Sequence, residues 1–396
     1  MEIKMNTELF GKPITYYEEH SCIHTVTEIA QQPEVWNTLA DELLERKEEI
    51  TAFMDKVLAE KELRIVTTGA GSSAFVGETF LYMLASELGI RTENVHTTDI
   101  ISAPDATLFD VPTLLISYAR SGESPESIAA VRFAKKRVKK LYNIVIVCDK
   151  ESSLAKCGYE MEDSLVLDLP PETCDKGFAM TSSVSCMSIA TWCLFHYKEM
   201  ETYTGYVKAM AKAMEEQIDS LADMAGQIAQ NDYRRIIWLG TGALKGLSRE
   251  ASIKSMELSD GYVHAGYDAP TGFRHGPKTV INDETLTVHF ISNQEYSRKY
   301  DTDLANELIR EKQHNLVVTV KPEETKGEIT GEDYEVVYQI PAKLPRDSEM
   351  GAYMFSLVFS QLLSMKKSLE KGFTTDNPCP KGDVNRVVQG IVIYDI

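Results

Sequence analysis

One stretch and the loop after it carry ionisable side chains at spacings suited to proton transfer. Glu250, Lys254 and Glu257 lie four and three residues apart, so they share one face if the stretch is helical. A Gly/Pro-rich loop follows and contains His275 within Arg274-His-Gly-Pro-Lys278. A carboxylate near a lysine, together with an imidazole, suits chemistry on a sugar, where one group moves a carbon-bound proton and the other opens the ring. On the helical spacing alone, however, we favour a solvent-exposed ladder of ion pairs.

A second stretch, residues 112–127, has the composition of an anion site. An apolar run at 113–116 predicts a buried strand, and a cluster of hydroxyls, a guanidinium and a glycine follows it. The cluster consists of Ser117, Arg120, Ser121, Gly122 and Ser124. A helix N-terminus attracts anions, glycine lets the backbone come close, and serines add neutral donors. The stretch therefore predicts a phosphate site, whereas capping of the helix at Pro125 would explain Ser124 alone.

The chain repeats itself, which predicts two similar domains. Residues 64–71 (RIVTTGAG) match residues 235–242 (RIIWLGTG), and strands and helices alternate after each. We expect an α/β fold of two tandem domains, each a mostly parallel sheet sandwiched by helices. The predicted parts are an N-terminal arm and helix (1–42), a first domain (43–206), a second domain (207–380) and a C-terminal tail (381–396). The second repeat has Ser292-Asn-Gln294 where the first has its serine cluster, so we expect phosphate binding in the first domain only.

Local patterns give more detailed expectations. Apolar spacing predicts one helix over 35–60, and further strands are expected at 63–68, 92–98, 141–148 and 164–169 in the first domain. In the second domain, strands are expected at 285–291, 316–320 and 334–339, and residues 247–281 are expected to begin as a helix and to end in a Gly/Pro-rich loop. His264 lies in that region, in a setting that looks structural.

Composition limits the classes of partner. The chain has 396 residues and a formal charge of −19, which argues against a nucleic-acid partner. The N-terminus lacks the apolar core of a signal peptide, and the most apolar window, 184–195, is too short to span a bilayer. Seven cysteines without a CxxC pair indicate reduced thiols in the cytoplasm and no zinc framework. His20, Cys22 and His24 have no further ligand cluster nearby, so we expect no metal.

Taken together, these motifs resemble a protein of two sugar isomerase (SIS) domains. TGAGSS, SGES and the E-x-x-x-K-x-x-E…RHGP series carry the resemblance, which covers the chain from about residue 43 onward. The double domain is similar to the isomerase half of glucosamine-6-phosphate synthase. SGESPES, FAMTSS and NPCPKGDVNRVVQG make it most similar to AgaS-type galactosamine-6-phosphate deaminases and tagatose-6-phosphate ketose/aldose isomerases.

The resemblance implies a role for each matching residue. Glu257 falls on the proton-shuttling carboxylate, Lys254 on the helix lysine and His275 on the ring-opening histidine. In relatives that histidine comes from a partner subunit, which implies a homodimer or a higher homo-oligomer. The implied phosphate contacts are Ser72, Ser73, Ser121 and Ser124, and the loop at 179–182, with Thr181 and Ser182, would border the sugar. Further expected substrate-binding residues are Gly71, Ser117, Arg120, Gly122 and Glu250. No cofactor and no metal are implied.

The chain departs from the synthase in two ways. It has no glutaminase domain and does not open with a cysteine nucleophile, so we expect no glutamine-dependent synthesis. The final residues VNRVVQGIVIYDI contain no lysine, and Lys381 lies upstream of them, so a Schiff-base lysine in the tail is not expected.

The expected reaction converts galactosamine-6-phosphate to tagatose-6-phosphate and ammonia. A plain ketose/aldose phosphate isomerase needs the same residues and stays open as an alternative. A sugar-phosphate sensor would need the serines but not Glu257 and His275, and the chain lacks a basic DNA-binding segment. A dinucleotide enzyme is disfavoured because neither Gly-x-Gly turn continues as GxGxxG.

Overall fold

The computed structural model describes residues 7–311, 315–382, 384–388 and 390–396, which form two compact units. The first-sheet unit comprises residues 34–174, 182–208 and the C-terminal residues after 381. The second-sheet unit comprises the N-terminal arm to residue 33, residues 175–181 and residues 209–381. The first six residues of the arm, and Asp383 and Gln389 of the tail motif, lie outside the described residues.

The strands alternate with helices along most of the chain. In chain order they are β1 (Glu8–Leu9), β2 (Lys12–Pro13), β3 (Arg64–Thr68), β4 (Glu93–Asn94), β5 (Thr113–Ala119), β6 (Leu141–Val147), β7 (Ser164–Asp168), β8 (Arg235–Leu239), β9 (His264–Asp268), β10 (Thr285–Phe290), β11 (Leu316–Pro322) and β12 (Tyr334–Tyr338). The first two pair as a short antiparallel ribbon.

The α-helices follow the same alternation. They are α1 (Ile14–Glu19), α2 (Ile23–Ala30), α3 (Gln32–Glu45), α4 (Lys47–Leu58), α5 (Ser72–Leu88), α6 (Thr97–Ser102), α7 (Pro104–Thr107), α8 (Pro125–Arg137), α9 (Ser153–Tyr159), α10 (Ser182–Phe195), α11 (Met200–Ala229), α12 (Ala243–Leu258), α13 (Pro270–Phe273), α14 (Glu295–Glu311) and α15 (Met350–Glu370). None of the described helices is both long and apolar enough to cross a membrane.

The two sheets have the same topology. The first runs β4-β3-β5-β6-β7 and the second β9-β8-β10-β11-β12, and every pairing within them is parallel. In each, the first strand has its successor on one side and the third strand on the other. The crevice at such a reversal, at the carboxyl ends of the strands, is where open α/β sheets bind ligands. The expected fold of two tandem α/β domains, each with a parallel sheet and helices, is confirmed.

The central strands form because their sequences suit burial on both faces. All seven residues of β5 and all seven of β6 are buried, as expected for apolar runs in a parallel sheet covered by helices. The turns that enter α5 and α12 also match. Gly71 has φ 56° and ψ −132°, and Gly242 has φ 59° and ψ −125°, a left-handed backbone that favours glycine.

Some local expectations were wrong. The segment 264–268 (HAGYD) forms β9, because pairing with β8 compensates for a sequence with weak strand propensity. In the first sheet, β4 is only two residues long, and α6 begins at Thr97 where a strand was expected. The helix expected over 35–60 breaks into α3 and α4 at Arg46.

Candidate active site

The face shared by Glu250, Lys254 and Glu257 on α12 is buried, and the interpretation as a solvated ladder was wrong. The Lys254 side chain is 1% exposed, and its Nζ lies 2.7 Å from Glu257 Oε2 and 3.5 Å from Glu250 Oε1. Packing of α12 against α15 and β9 covers this face. The spacing is the same in a surface ladder and in a buried cluster, so only the tertiary structure distinguishes them.

Exposure separates the two carboxylates. The Glu257 side chain is 27% exposed and that of Glu250 is 2% exposed, so only Glu257 is open to a substrate. A base that takes a proton from a substrate carbon must be within reach of that substrate. Within this cluster Glu257 is therefore the candidate base, and Glu250 balances the charge of Lys254 from the buried side.

His275 lies on a turn fixed by backbone geometry. Its N–H donates to Gly272 O at 2.9 Å, which continues the short helix α13. Gly276 follows with φ 128°, a conformation that favours glycine, and Pro277 then starts a 3₁₀ turn. Among the described residues, the His275 side chain makes no hydrogen bond or ion pair with the α12 cluster, and it is exposed.

The residues flanking His275 are held by α14. Arg274 Nε donates to Glu307 Oε2 at 2.8 Å, and Lys278 pairs with Glu307 and, at 2.6 Å, with Glu311. These bonds lower the pKa of the Glu307 carboxyl, the hydrogen bond from Lys278 being the largest cause. The histidine therefore extends from an anchored loop.

In the first-sheet unit, the start of α5 lies beside two buried hydroxyls. Ser72 and Ser73 open the helix directly after Gly71. Thr68 and Ser117 are register partners near the carboxyl ends of β3 and β5, and within the described part of the chain neither buried hydroxyl oxygen has a hydrogen-bond partner. A polar group buried in this way usually has a partner in the functional state, so this edge of the sheet is chemically incomplete on its own. The composition pointed to Ser117, but Thr68 was missed because it reads as an ordinary strand residue.

The turn at 121–124 combines capping with a rigid connection. Ser124 Oγ accepts from Ser127 N at 3.3 Å, so Ser124 does cap α8, and Pro125 is the first helical residue. Gly122 has φ 62°, and a Cβ there would lie 2.3 Å from Ser152 Oγ, so a side chain is excluded. Glu123 accepts from Ser153 N and Oγ, both at 2.8 Å, which ties the turn to α9.

Arg120 contacts the C-terminal tail. Its side chain is largely buried, and Nη2 donates to Arg386 O at 3.2 Å. The tail is held again further on, where Lys136 pairs with Asp395 at 2.6 Å and Ile393 packs on the core of this unit. Arg120 thus positions the tail next to the serine turn.

The loop 175–181 precedes α10 and holds the predicted sugar-bordering residues. Thr181 donates to Asp175 twice, from N at 2.8 Å and from Oγ1 at 3.0 Å, so its hydroxyl is committed within the loop. Ser182 is the buried first residue of α10. Sequence patterns did not reveal Asp175 because the pairing depends on the loop's folded path.

The equivalent crevice of the second sheet contains acidic side chains. Asp301 accepts from Thr241 Oγ1 at 2.5 Å and from Ser292 N at 3.0 Å, and the Ser292 hydroxyl donates to Glu349. Burial raises the pKa of Asp301 to about 7. Among the described residues, no group of three or more His, Cys, Asp or Glu side chains could hold a metal ion.

Comparison with known proteins gives one family. The SIS domain profile matches residues 57–197. The D-galactosamine-6-phosphate deaminase AgaS of Escherichia coli is 37% identical over 372 residues, which cover 93% of this chain and 95% of the relative.

Solved structures agree. A crystal structure from Clostridium novyi superposes with a TM-score of 0.94 at 36% identity, covering 98% of this chain and 99% of that one. The tagatose-6-phosphate ketose/aldose isomerase of Escherichia coli superposes with a TM-score of 0.85 at 34% identity, covering 94% and 96%. This chain belongs to the SIS-domain family, in the group that includes the AgaS proteins.

Proposed function

We propose that this enzyme converts galactosamine-6-phosphate and water to tagatose-6-phosphate and ammonia. The relatives named as D-galactosamine-6-phosphate deaminase and as tagatose-6-phosphate ketose/aldose isomerase support the substrate class. The observation that carries the chemistry is the partly exposed Glu257 carboxylate, 2.7 Å from the buried ammonium of Lys254.

In the proposed mechanism, His275 opens the ring and Glu257 transfers the carbon-bound proton. His275 moves a proton between the ring oxygen and the anomeric hydroxyl, which opens the pyranose to the aldehyde. Glu257 then takes the proton from C2, giving an enaminol, and returns it to C1, giving an imine at C2. Water adds to that imine and ammonia leaves, so a ketose phosphate remains. Lys254 pairs with Glu257 at 2.7 Å and so holds the carboxylate in place for the transfer.

Phosphate binding is assigned to the first-sheet unit. The proposed contacts are the start of α5 with Gly71, Ser72 and Ser73, and the turn at 121–124. Anions are favoured at helix N-termini, and α5, with 17 residues, has a full macrodipole. Ser117 is the remaining proposed phosphate contact, because its buried hydroxyl has no hydrogen-bond partner in the part of the chain that the structure describes.

The buried cluster favours an enzyme over a sensor. Burying Lys254 and Glu250 costs desolvation energy that a binding module gains nothing from. A plain isomerase without deamination would use the same residues, since the difference is only whether C2 carries nitrogen or oxygen. The decisive experiment is to incubate the purified chain with galactosamine-6-phosphate and glucosamine-6-phosphate and to measure both ammonia and ketose.

The expected result is equal amounts of ammonia and tagatose-6-phosphate from galactosamine-6-phosphate. Interconversion of tagatose-6-phosphate with its aldose, without ammonia release from either amino sugar, would establish the plain isomerase. Binding of all these sugars without turnover would establish the sensor. Glu257→Gln serves as the matched control, because it keeps the shape of the side chain and removes its basicity.

We further propose a homo-oligomer in which His275 serves a partner subunit, in the cytoplasm. His275 is exposed, and among the described residues its side chain makes no hydrogen bond or ion pair with Glu250, Lys254 or Glu257. Both observations support a role for His275 in a partner subunit's site. Each of the seven cysteines lies among the described residues and none forms a disulfide, which supports the location. Mixing inactive His275→Ala and Glu257→Gln chains should restore activity in hybrids that have one intact site. Absence of restoration in verified hybrids would contradict the shared site.

A further inference from the structure

The N-terminal arm carries a buried acidic side chain that the proposed mechanism does not use. Glu28, on α2, is 5% exposed. Its carboxyl accepts from the backbone N–H of Lys176 and from that of Gly177, the latter at 3.1 Å to Oε1 and 3.2 Å to Oε2. These are the second and third residues of the loop 175–181, which is 148 residues away along the chain.

The loop backbone at Gly177 packs closely against Glu28 and Thr25 on α2. A Cβ on Gly177 would lie 2.8 Å from Glu28 Oε2 and 3.1 Å from Thr25 Oγ1. The loop backbone therefore approaches α2 as closely as the lack of a side chain allows. A side chain at position 177 would therefore require Glu28 and Thr25 to move.

The helix that carries Glu28 is itself fixed. Asp376 accepts from His24 N at 2.9 Å, from Thr25 N at 2.8 Å and from Thr25 Oγ1 at 2.7 Å. In return, Asp376 N donates to Ser21 O at 3.0 Å. The start of α2 is thereby bound to the segment after α15, within the same unit.

The other end of the loop is fixed from α15. Gln361 Nε2 donates to Thr181 O at 3.3 Å, and Gln32 Nε2 donates to Gln361 Oε1 at 2.9 Å. Both glutamines are buried. These bonds and those from Thr181 to Asp175 fix the C-terminal end of the loop. Glu28 fixes the other end, next to Asp175.

We propose that Glu28 is a positioning residue for the reaction: it fixes the loop 175–181 in the conformation that borders the sugar. This inference rests on the proposed function and on the expectation from the family resemblance that residues 179–182 border the sugar. The SIS profile covers residues 57–197 and therefore does not include the arm. Burial, and next the nearby Asp175 carboxylate, raise the pKa of Glu28 to about 8. A neutral acceptor thus satisfies the same two amides.

That property gives a sharp set of variants. Glu28→Gln keeps the length and one acceptor oxygen, and it should retain kcat/KM within about 3-fold of the parent, because a neutral side chain can still accept both bonds. Glu28→Asp is one methylene too short, and Glu28→Ala has no acceptor. Both should lower kcat/KM for galactosamine-6-phosphate by about 10- to 100-fold, the size of effect expected for a misplaced contact element.

Two further measurements separate positioning from general damage. Hydrogen exchange of the amides of Lys176 and Gly177 should become fast in Glu28→Ala, while the central strands β10 and β11 stay protected. The inhibition constant of inorganic phosphate should not change, because the proposed phosphate contacts are on the other unit. Glu19→Ala is the matched control, since Glu19 is an exposed acidic residue of the same arm.

Should Glu28→Ala fail to fold, Gly177→Ala tests the same contact, because its Cβ would push the loop off Glu28 and should give the same loss. Full activity in a folded Glu28→Ala or Gly177→Ala chain would overturn the inference, as would impaired activity with unchanged exchange at Lys176 and Gly177. Inactivity of the parent chain towards all the amino-sugar and ketose phosphates would instead overturn the proposed function, and the reaction role of Glu28 with it.

Discussion

The ammonium of Lys254 lies 2.7 Å from Glu257 and 3.5 Å from Glu250, and the two carboxylates differ in their access to solvent. In the proposed mechanism, the Lys254 ammonium thus pairs with the proton-transferring carboxylate of Glu257 on one side and with the buried carboxylate of Glu250 on the other. This asymmetry separates the expected effects of the two glutamine substitutions.

Glu257→Gln should abolish most turnover without affecting the fold. The variant cannot accept the C2 proton, so kcat should fall by about 10²-fold or more, while KM stays near the parent value. Steady-state kinetics with galactosamine-6-phosphate gives both quantities, and the melting temperature provides the control. Near-full turnover in this variant, with loss of turnover in Glu250→Gln, would reverse the assignment of the base.

Glu250→Gln should mainly reduce stability. The variant removes a carboxylate from beside the buried ammonium, and breaking a buried pair in this way typically costs about 3–5 kcal/mol. Urea unfolding of this variant and of Glu257→Gln should therefore give a lower midpoint for Glu250→Gln alone. Equal midpoints would mean that the inner carboxylate is not needed to balance Lys254.

Ser124→Asp should separate capping from phosphate binding. Aspartate is as good an N-cap as serine, so α8 should keep its stability. The added charge would repel the phosphate of the substrate, however, and KM should rise by about 10-fold or more. Ser124→Asn is the matched control, with the same shape and capping ability but no charge. Identical KM values for the Asp and Asn variants would remove Ser124 from the proposed phosphate site.

His289→Leu should stabilise the chain, and more so at acidic pH. Within the described residues, neither ring nitrogen of this buried histidine has a hydrogen-bond partner, and burial lowers its pKa from 6.5 to about 3. Below pH 6.5 the unfolded chain binds a proton that the folded chain does not, so this group lowers stability progressively as pH falls towards 3.

The variant should lose that part of the pH dependence, which amounts to about 2 kcal/mol between pH 6.5 and 5. Urea unfolding at both pH values measures it. His264→Leu is the control, because His264 is exposed on β9 of the same sheet. A parallel pH dependence in His289→Leu and the parent would contradict the assignment to His289.

Sequence patterns predicted the parts of the fold that rest on local physics. Apolar runs located β5, β6, β10 and β11. The segment that forms β9 could not be predicted, because its strand character comes from pairing with β8.

The candidate site also combines features that could be predicted from the sequence with features that depend on tertiary contacts. The serine cluster and the α12 spacing were visible in the sequence, and the resemblance assigned roles to them. The burial of Lys254 could not be predicted, because residues have the same helical spacing on a solvent-exposed face and on a buried face. Contacts such as that between Glu28 and Gly177 join residues 149 positions apart, and no local pattern encodes them.

The acidic side chains at the second crevice determine how many substrate molecules one chain can hold. The hydroxyl and amide donors that an incoming phosphate would need there already donate to Asp301 and Glu349. An added anion would also meet their repulsion. Although the chain contains the same topology twice, it should behave as a single receptor: calorimetric titration with a sugar phosphate should give a stoichiometry of one per chain, and excess substrate should not inhibit through a second site. In the second domain, the chain's own carboxylates thus occupy the donors that bind an anion in the proposed site of the first.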